Sequence, residues 1–164
     1  MIPFILGVTG HRDLPSDALT RIEEAVREQL LKLRRTMPDT RIIVASAQAE
    51  GADRLVTHVA LKEGFEVWSV LPTEANEYEK DFSSERSCAE FRTLLEKSAR
   101  VLNASILAGH DAKSTKRPQI YVRVGEDICR LSHALLAVWD GKVPDRPGGT
   151  AAVVAAFRSG RFDD

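Results

Sequence analysis

Short apolar runs alternate with amphipathic helical stretches along almost the whole chain, and few folds satisfy that alternation. Residues 4–8, 42–45, 65–71 and 134–139 read as strands apolar on both faces, and a short strand is expected at 101–102. Such strands need cover on both sides of their sheet. The stretches between them supply it. From Ser16 or Asp17, either of which can cap the first turn, to Thr36, apolar residues recur every three or four positions. Leu19, Ile22, Val26, Leu30 and Leu33 thereby form one core-facing stripe. Further helices are expected at 52–62 (stopped by Gly64), 76–82, 85–98 and 150–158, and at 120–132 with Tyr121, Val124, Ile128 and Leu131 on one face. Polar loops are expected at 108–118, with Lys113 and Arg117, and at 140–149. The pattern predicts an α/β protein, a Rossmann-like doubly wound parallel sheet with helices on both faces in a three-layer sandwich.

A chain of 164 residues is expected to form one domain over its whole length, since a single core of that size buries about 70% of the unfolded surface. The patternless ending 158–164 is consistent with a domain cut from a longer protein, in which a membrane segment could have been lost. With 43% hydrophobic and 29% charged residues the chain is not a disordered one. Its net charge is −1, with basic and acidic residues interspersed. That argues against nucleic acid as a partner, because such binding rests on clustered cations. A small anion held by a few arginines stays compatible. The apolar run at 2–8 is too short for a membrane span and lacks the basic start of a signal peptide. Cys88 and Cys129 are isolated on helical stretches and are expected as free, buried thiols in a reducing cytosol, with a disulfide between them as the alternative. A cytoplasmic protein is the expectation.

In open parallel sheets ligands bind beyond the carboxyl ends of the strands, so the residues following each strand matter most. After the first come Gly7, Thr9, Gly10, His11 and Arg12. The glycines let backbone approach a ligand, and free N–H groups with Arg12 suit a phosphate; a plain strand-to-helix turn uses the same glycines. After the second strand, Glu50, Gly51 and Asp53 open a helix. The carboxylates of Glu50 and Asp53 serve either the helix dipole or the hydroxyls of a ribose. After the last strand, Asp140 is either the turn-initiating residue of Asp-Gly or an acceptor for ribose or base. Gly148, Gly149 and Thr150 enter the final helix, where Thr150 can both cap the helix and bind an anion. His11, His58, His110 and His133 show no metal-ligand spacing, so neither a metal nor another cofactor is expected. His58 reads as a helix-surface residue, and Trp68 and Trp139 read as core residues inside strands. The nucleophile elbow and the Walker lysine are both absent.

The motifs at 7–14 (Gly-Val-Thr-Gly-His-Arg-Asp-Leu), 49–55 (Ala-Glu-Gly-Ala-Asp-Arg-Leu), 70–72 (Val-Leu-Pro), Tyr78 with Asp81 and Phe82, Trp139-Asp140-Gly141 and 148–151 (Gly-Gly-Thr-Ala) come in one order. Together they resemble the SLOG superfamily over roughly residues 3–158. That superfamily groups sensory Rossmann-like domains with the Lonely-guy hydrolases and the DprA fold. The resemblance implies a pocket for an NAD-derived or other nucleotide. SLOG domains in the bacterial Thoeris effector and in TRPM-type channels bind ADP-ribose-like molecules, and prokaryotic members are often fused to an effector in antiphage signalling. The family's glycine-rich elements map onto Gly7, Thr9 and Gly10 and onto Gly148, Gly149 and Thr150.

One departure separates sensor from enzyme. Lonely-guy hydrolases carry Pro-Gly-Gly-x-Gly-Thr-x-x-Glu, and Val153 stands where their glutamate acts on the N-glycosidic bond. Valine transfers no proton. The expectation is a domain that senses a small nucleotide ligand and works as a homo-oligomer or with an attached effector. Arg12, Gly148, Gly149 and Thr150 would hold phosphates, Glu50, Asp53 and Asp140 would meet ribose or base, and His11 would line the pocket. The alternative is a nucleoside 5′-phosphate N-ribohydrolase using Glu50 or Asp140. A DprA-like nucleic-acid binder is the third reading.

Overall fold

Val8, Ile43, Val44, Val67 and Val70 are all but excluded from solvent, as strands covered on both faces must be. The computed structural model describes residues 2–103, 117–142 and 149–160. Among them the strands are β1 (Phe4–Gly10), β2 (Ile42–Ser46), β3 (Glu66–Leu71), β4 (Arg100–Asn103) and β5 (Ala134–Val138). The helices are α1 (Leu19–Thr36), α2 (Ala52–Lys62), α3 (Ala75–Tyr78), α4 (Glu85–Lys97), α5 (Arg117–Leu131) and α6 (Thr150–Ser159). All strand pairs are parallel, in the order β4-β3-β2-β1-β5.

The alternation of side chains along each strand splits the core in two. Leu6, Val8, Val44 and Val67 face α1 and α2, where Val26, Leu30, Val56 and Val59 meet them. Ile5, Ile43, Ala45 and Val70 face the other way, onto Val124 and Ile128 of α5. A smaller cluster of Leu71, Tyr78 and Phe91 packs α3 and α4 together. The protein is therefore the three-layer α/β sandwich that the strand and helix patterns predict.

Several boundaries differ from the sequence expectation for physical reasons. β1 continues two residues beyond its apolar run, because Thr9 and Gly10 still pair with Ala137 and Val138. β5 stops at Val138, so Trp139 lies outside the sheet and its indole N–H donates to the Lys142 carbonyl at 2.8 Å. Neither Ser16 nor Asp17 caps a helix with its side chain; both belong to a 3-10 turn, Ser16–Ala18, that leads into α1. Leu19 consequently falls off the buried stripe and is 41% exposed. α5 starts at Arg117, so Arg117 and Pro118 leave the expected loop for the first helical turn, where a missing N–H costs nothing. The remainder of that loop, 108–116, lies outside the described residues. Both cysteines are free; Cys129 is buried and Cys88 half-buried. No described helix is long and apolar enough to cross a membrane.

Candidate ligand-binding site

From β1 the chain steps outward through β2 and β3 to β4, then returns to lay β5 on the other side of β1. At such a switch point the connections leave the strand ends in opposite directions and open a crevice. A pocket of about 530 Å³ lies there, beyond the end of β1 and between α5 and the start of α6. Its inner wall is apolar, with Val8, Val124, Ile128 and Val153. Its polar groups come from the strand ends and helix starts.

Gly149 is the residue that opens α6, and its carbonyl accepts from the N–H groups of Ala152 (3.0 Å) and Val153 (3.1 Å). Thr150 is thus the first helical residue and not the cap expected from the sequence. Thr150, like Thr9, lines the pocket. The two residues are only 8% and 9% exposed, and neither hydroxyl has a hydrogen-bond partner among the described residues. Arg12 reaches across the pocket with its guanidinium 5.5 Å from the Tyr121 ring. Among the described residues Arg12 forms no ion pair with a carboxylate. Tyr121 is held from behind: its hydroxyl donates to Asp81, which also pairs with Arg117 at 2.5 Å.

Asp53 completes the wall at the start of α2. It is 6% exposed, and its Oδ2 accepts from the Ala49 N–H at 3.3 Å. Burial pushes its carboxyl up to about 7, against the opposing pull of the Ala49 N–H and of Arg12. Tyr78 lies beside it, and burial raises its phenol well above the ordinary value. The Tyr78 ring is fixed edge-on against Phe82 and Phe91, with centroids 4.9 and 5.6 Å away.

Seven residues singled out from the sequence therefore meet at one pocket: Thr9, Gly10, His11, Arg12, Asp53, Gly149 and Thr150. The others go elsewhere. Gly7 lies beneath α5, where a side chain would strike Ser132 and Ile128. Gly51 has φ +84°, and a Cβ there would overlap the Arg12 carbonyl, so it clamps the β2–α2 turn onto the β1 turn. The Ala52 N–H donates to the His11 carbonyl at 3.0 Å in the same clamp. Asp140 is not on the pocket wall; its Oδ1 meets His11 Nε2 at 3.0 Å. That contact and the Lys142 N–H lower the Asp140 carboxyl to about 2. Gly148 lies outside the described residues.

Glu50 turns away from the pocket altogether. Its carboxylate accepts from the Ser83 N–H (3.0 Å), the Ser83 hydroxyl (2.7 Å) and the Ser87 hydroxyl. Partial burial would raise its pKa, yet these hydrogen bonds outweigh it and hold the group below the usual carboxylate range. Next to it, Arg54 is 3% exposed and anchors the turn. Its N–H groups donate to the Gln48 carbonyl (3.1 Å), the Ser87 carbonyl (2.8 Å) and Glu90 (3.0 Å). Its guanidinium lies 4.3 Å over the Phe82 ring.

Sequence reasoning missed what Arg54, Tyr78 and Tyr121 do. Tyr121 shares helical spacing with Val124 and Ile128, so it read as core, and only the Arg12 guanidinium in front of it shows otherwise. Among the described residues no group of three His, Cys, Asp or Glu side chains is placed to hold a metal ion.

No protein-family model and no curated protein matches this chain. Solved structures do. DprA from Streptococcus pneumoniae is similar with a TM-score of 0.64 at 15% identity, over 97% of this chain and 48% of that one. DprA from Helicobacter pylori is similar with a TM-score of 0.58 at 15% identity, over 95% of this chain and 62% of that one. The structural-genomics target TM1055 is similar with a TM-score of 0.54 at 13% identity, over 95% of this chain and 69% of that one. This chain thus spans about half the length of the Streptococcus protein. At such identities the likeness concerns the fold alone, a Rossmann-like parallel α/β sandwich.

Proposed function

We propose that the pocket beyond β1 binds a phosphorylated small molecule of the nucleotide type and reports its presence without cleaving it. The supporting observation is the convergence on one pocket of the Arg12 guanidinium, which has no carboxylate partner among the described residues, with Thr9 and Thr150 beside the first turn of α6. A cation, hydroxyl-bearing side chains and a helix start gathered at one place suit an anionic group. A phosphate at that place would take both hydroxyls, the first-turn N–H groups that have no partner inside the helix, and the Arg12 guanidinium. The rest of the ligand would extend along Tyr121 and the apolar wall. An NAD-derived, ADP-ribose-like messenger is the class we put first. Val153 lines the pocket and offers no acid or base, which favours recognition over hydrolysis. Ligand binding would act through a second copy or an attached effector, because a ligand shifts only states that it binds unequally.

Calorimetry with ADP-ribose, NAD, a cyclic dinucleotide and nucleoside monophosphates tests this. The wild type should bind at least one, and Arg12→Ala should bind it roughly 10- to 100-fold more weakly, the size of a lost charge-assisted contact. Absence of binding across that panel overturns the reading, and release of free base on mixing replaces it with a ribohydrolase. A second reading, single-stranded DNA, is favoured by the DprA likeness, since the Helicobacter protein is described for its single-stranded DNA binding mode. That finding weakens the argument against nucleic acid drawn from charge balance. An anisotropy titration with a labelled oligonucleotide separates the two. Tight binding that weakens steeply with salt would move the assignment to DNA.

A further inference from the structure

We infer that Asp53 is a specificity determinant of this pocket: it admits an anion at Arg12 only together with a proton. The inference rests on the phosphate-binding reading above and concerns the charge balance of the same site.

Asp53 is buried on the pocket wall, and few groups can balance its charge. From the β1 turn it faces Arg12, with His11 at the rim already engaged by Asp140. From its own helix it has Arg54, whose charge is met by Glu90 at 3.0 Å. Glu50, the other carboxylate of that turn, is engaged by Ser83 and Ser87. From α3 it faces the neutral phenol of Tyr78, and Tyr121 of α5 stands beyond Arg12. Arg12, which rests against Tyr121, is thus the one cation near Asp53 without a carboxylate partner among the described residues.

A phosphate arriving at Arg12 takes that cation for itself. It also sets a second negative charge against the buried carboxylate on the pocket wall. Both effects favour the neutral acid over the carboxylate. The buried carboxyl already titrates near neutrality, so the proton is taken up at little cost around pH 7. The neutral acid then offers an O–H donor that a carboxylate lacks. Above that range Asp53 stays ionised and competes with the ligand for Arg12. An uncharged nucleoside makes no such demand.

The test is proton uptake on binding adenosine 5′-monophosphate, measured by calorimetry in two buffers of different ionisation enthalpy. The wild type should take up about half a proton at about pH 7, and its affinity should fall roughly three- to tenfold per pH unit above that. Asp53→Asn should show no uptake, only the small proton release that the phosphate's own titration contributes. The carboxyl-carbon resonance of Asp53 in the wild type supplies a readout that does not depend on the variant folding. Its titration should move upward when the nucleotide saturates the protein. Equal proton uptake in wild type and variant, or an Asp53 resonance indifferent to bound nucleotide, overturns the inference and leaves the binding reading intact. Absence of nucleotide binding at every pH overturns both.

Discussion

Two crevices meet at Arg12, and they differ in how their polar groups are satisfied. In the groove between α2 and α4, charges close on one another. Arg54, Glu50, Ser87, Glu90 and His58 are joined by hydrogen bonds, with Arg54 Nη2 left over. In the pocket beyond β1, the Thr9 and Thr150 hydroxyls have no partner among the described residues, and Arg12 and Asp53 form no ion pair there. Closed networks hold a fold in place, whereas open valences of this kind are what a ligand completes. The two places carry similar residue types, so composition does not distinguish them.

The comparison breaks first at Arg54. Replacing it by Ala should lower stability by about 2–4 kcal/mol, since it strands buried acceptors and Glu90 together. Lys should not rescue it, because an ammonium cannot reproduce the fork. A urea midpoint equal to that of the wild type would show that the groove is not structural.

The next effect is a pH dependence. Asp53 has a folded-state pKa of about 7, above the roughly 4 of an unfolded chain. The folded form holds a proton that the unfolded form releases. Stability is therefore lost as pH rises through that window, by at most ~1.4 kcal/mol per pH unit. The melting temperature of Asp53→Asn relative to the wild type should rise between about pH 4 and pH 7; a constant difference would place the carboxyl in water.

Smaller effects follow at the hydroxyls. Thr9→Val and Thr150→Val should each weaken nucleotide binding roughly three- to tenfold, the size of one neutral hydrogen bond. The ligand-free protein should melt no lower, because the hydroxyls it loses have no partner. A stability loss without an affinity loss would reverse the contrast between the crevices. The smallest change is expected at Glu50→Gln, which should cost about 1 kcal/mol or less and leave nucleotide affinity unchanged. An affinity loss there would join the two crevices into one site.

The layers of the fold were legible because burial follows periodicity. Ile42, Ile43, Val44 and Ala45 declare a strand covered on both faces, and Val26 with Leu30 declares a helix stripe. Part of the site was legible for a related reason: strand ends in parallel sheets are where chemistry gathers, which singled out Thr9 to Arg12 and Gly149 with Thr150. Glu50 and Asp53 could not be told apart in the same way. Both are acidic residues three apart on one turn, equally suited to a ribose. Only the packing of α4, which brings Ser87 to Glu50, decides that one turns outward while the other stays in the pocket wall.

By itself, then, the sequence determined the alternating layers, the parallel sheet and the turns from which a ligand site is built. These depend on local periodicity and on glycine and hydroxyl placement, which neighbouring residues carry. The tertiary structure decided which polar groups find partners. It paired Asp140 with His11, closed Arg54 into the α4 network, set Tyr121 behind Arg12 and left Thr9 and Thr150 open. Satisfaction of a buried group depends on what another part of the chain brings to it, and no local pattern records that.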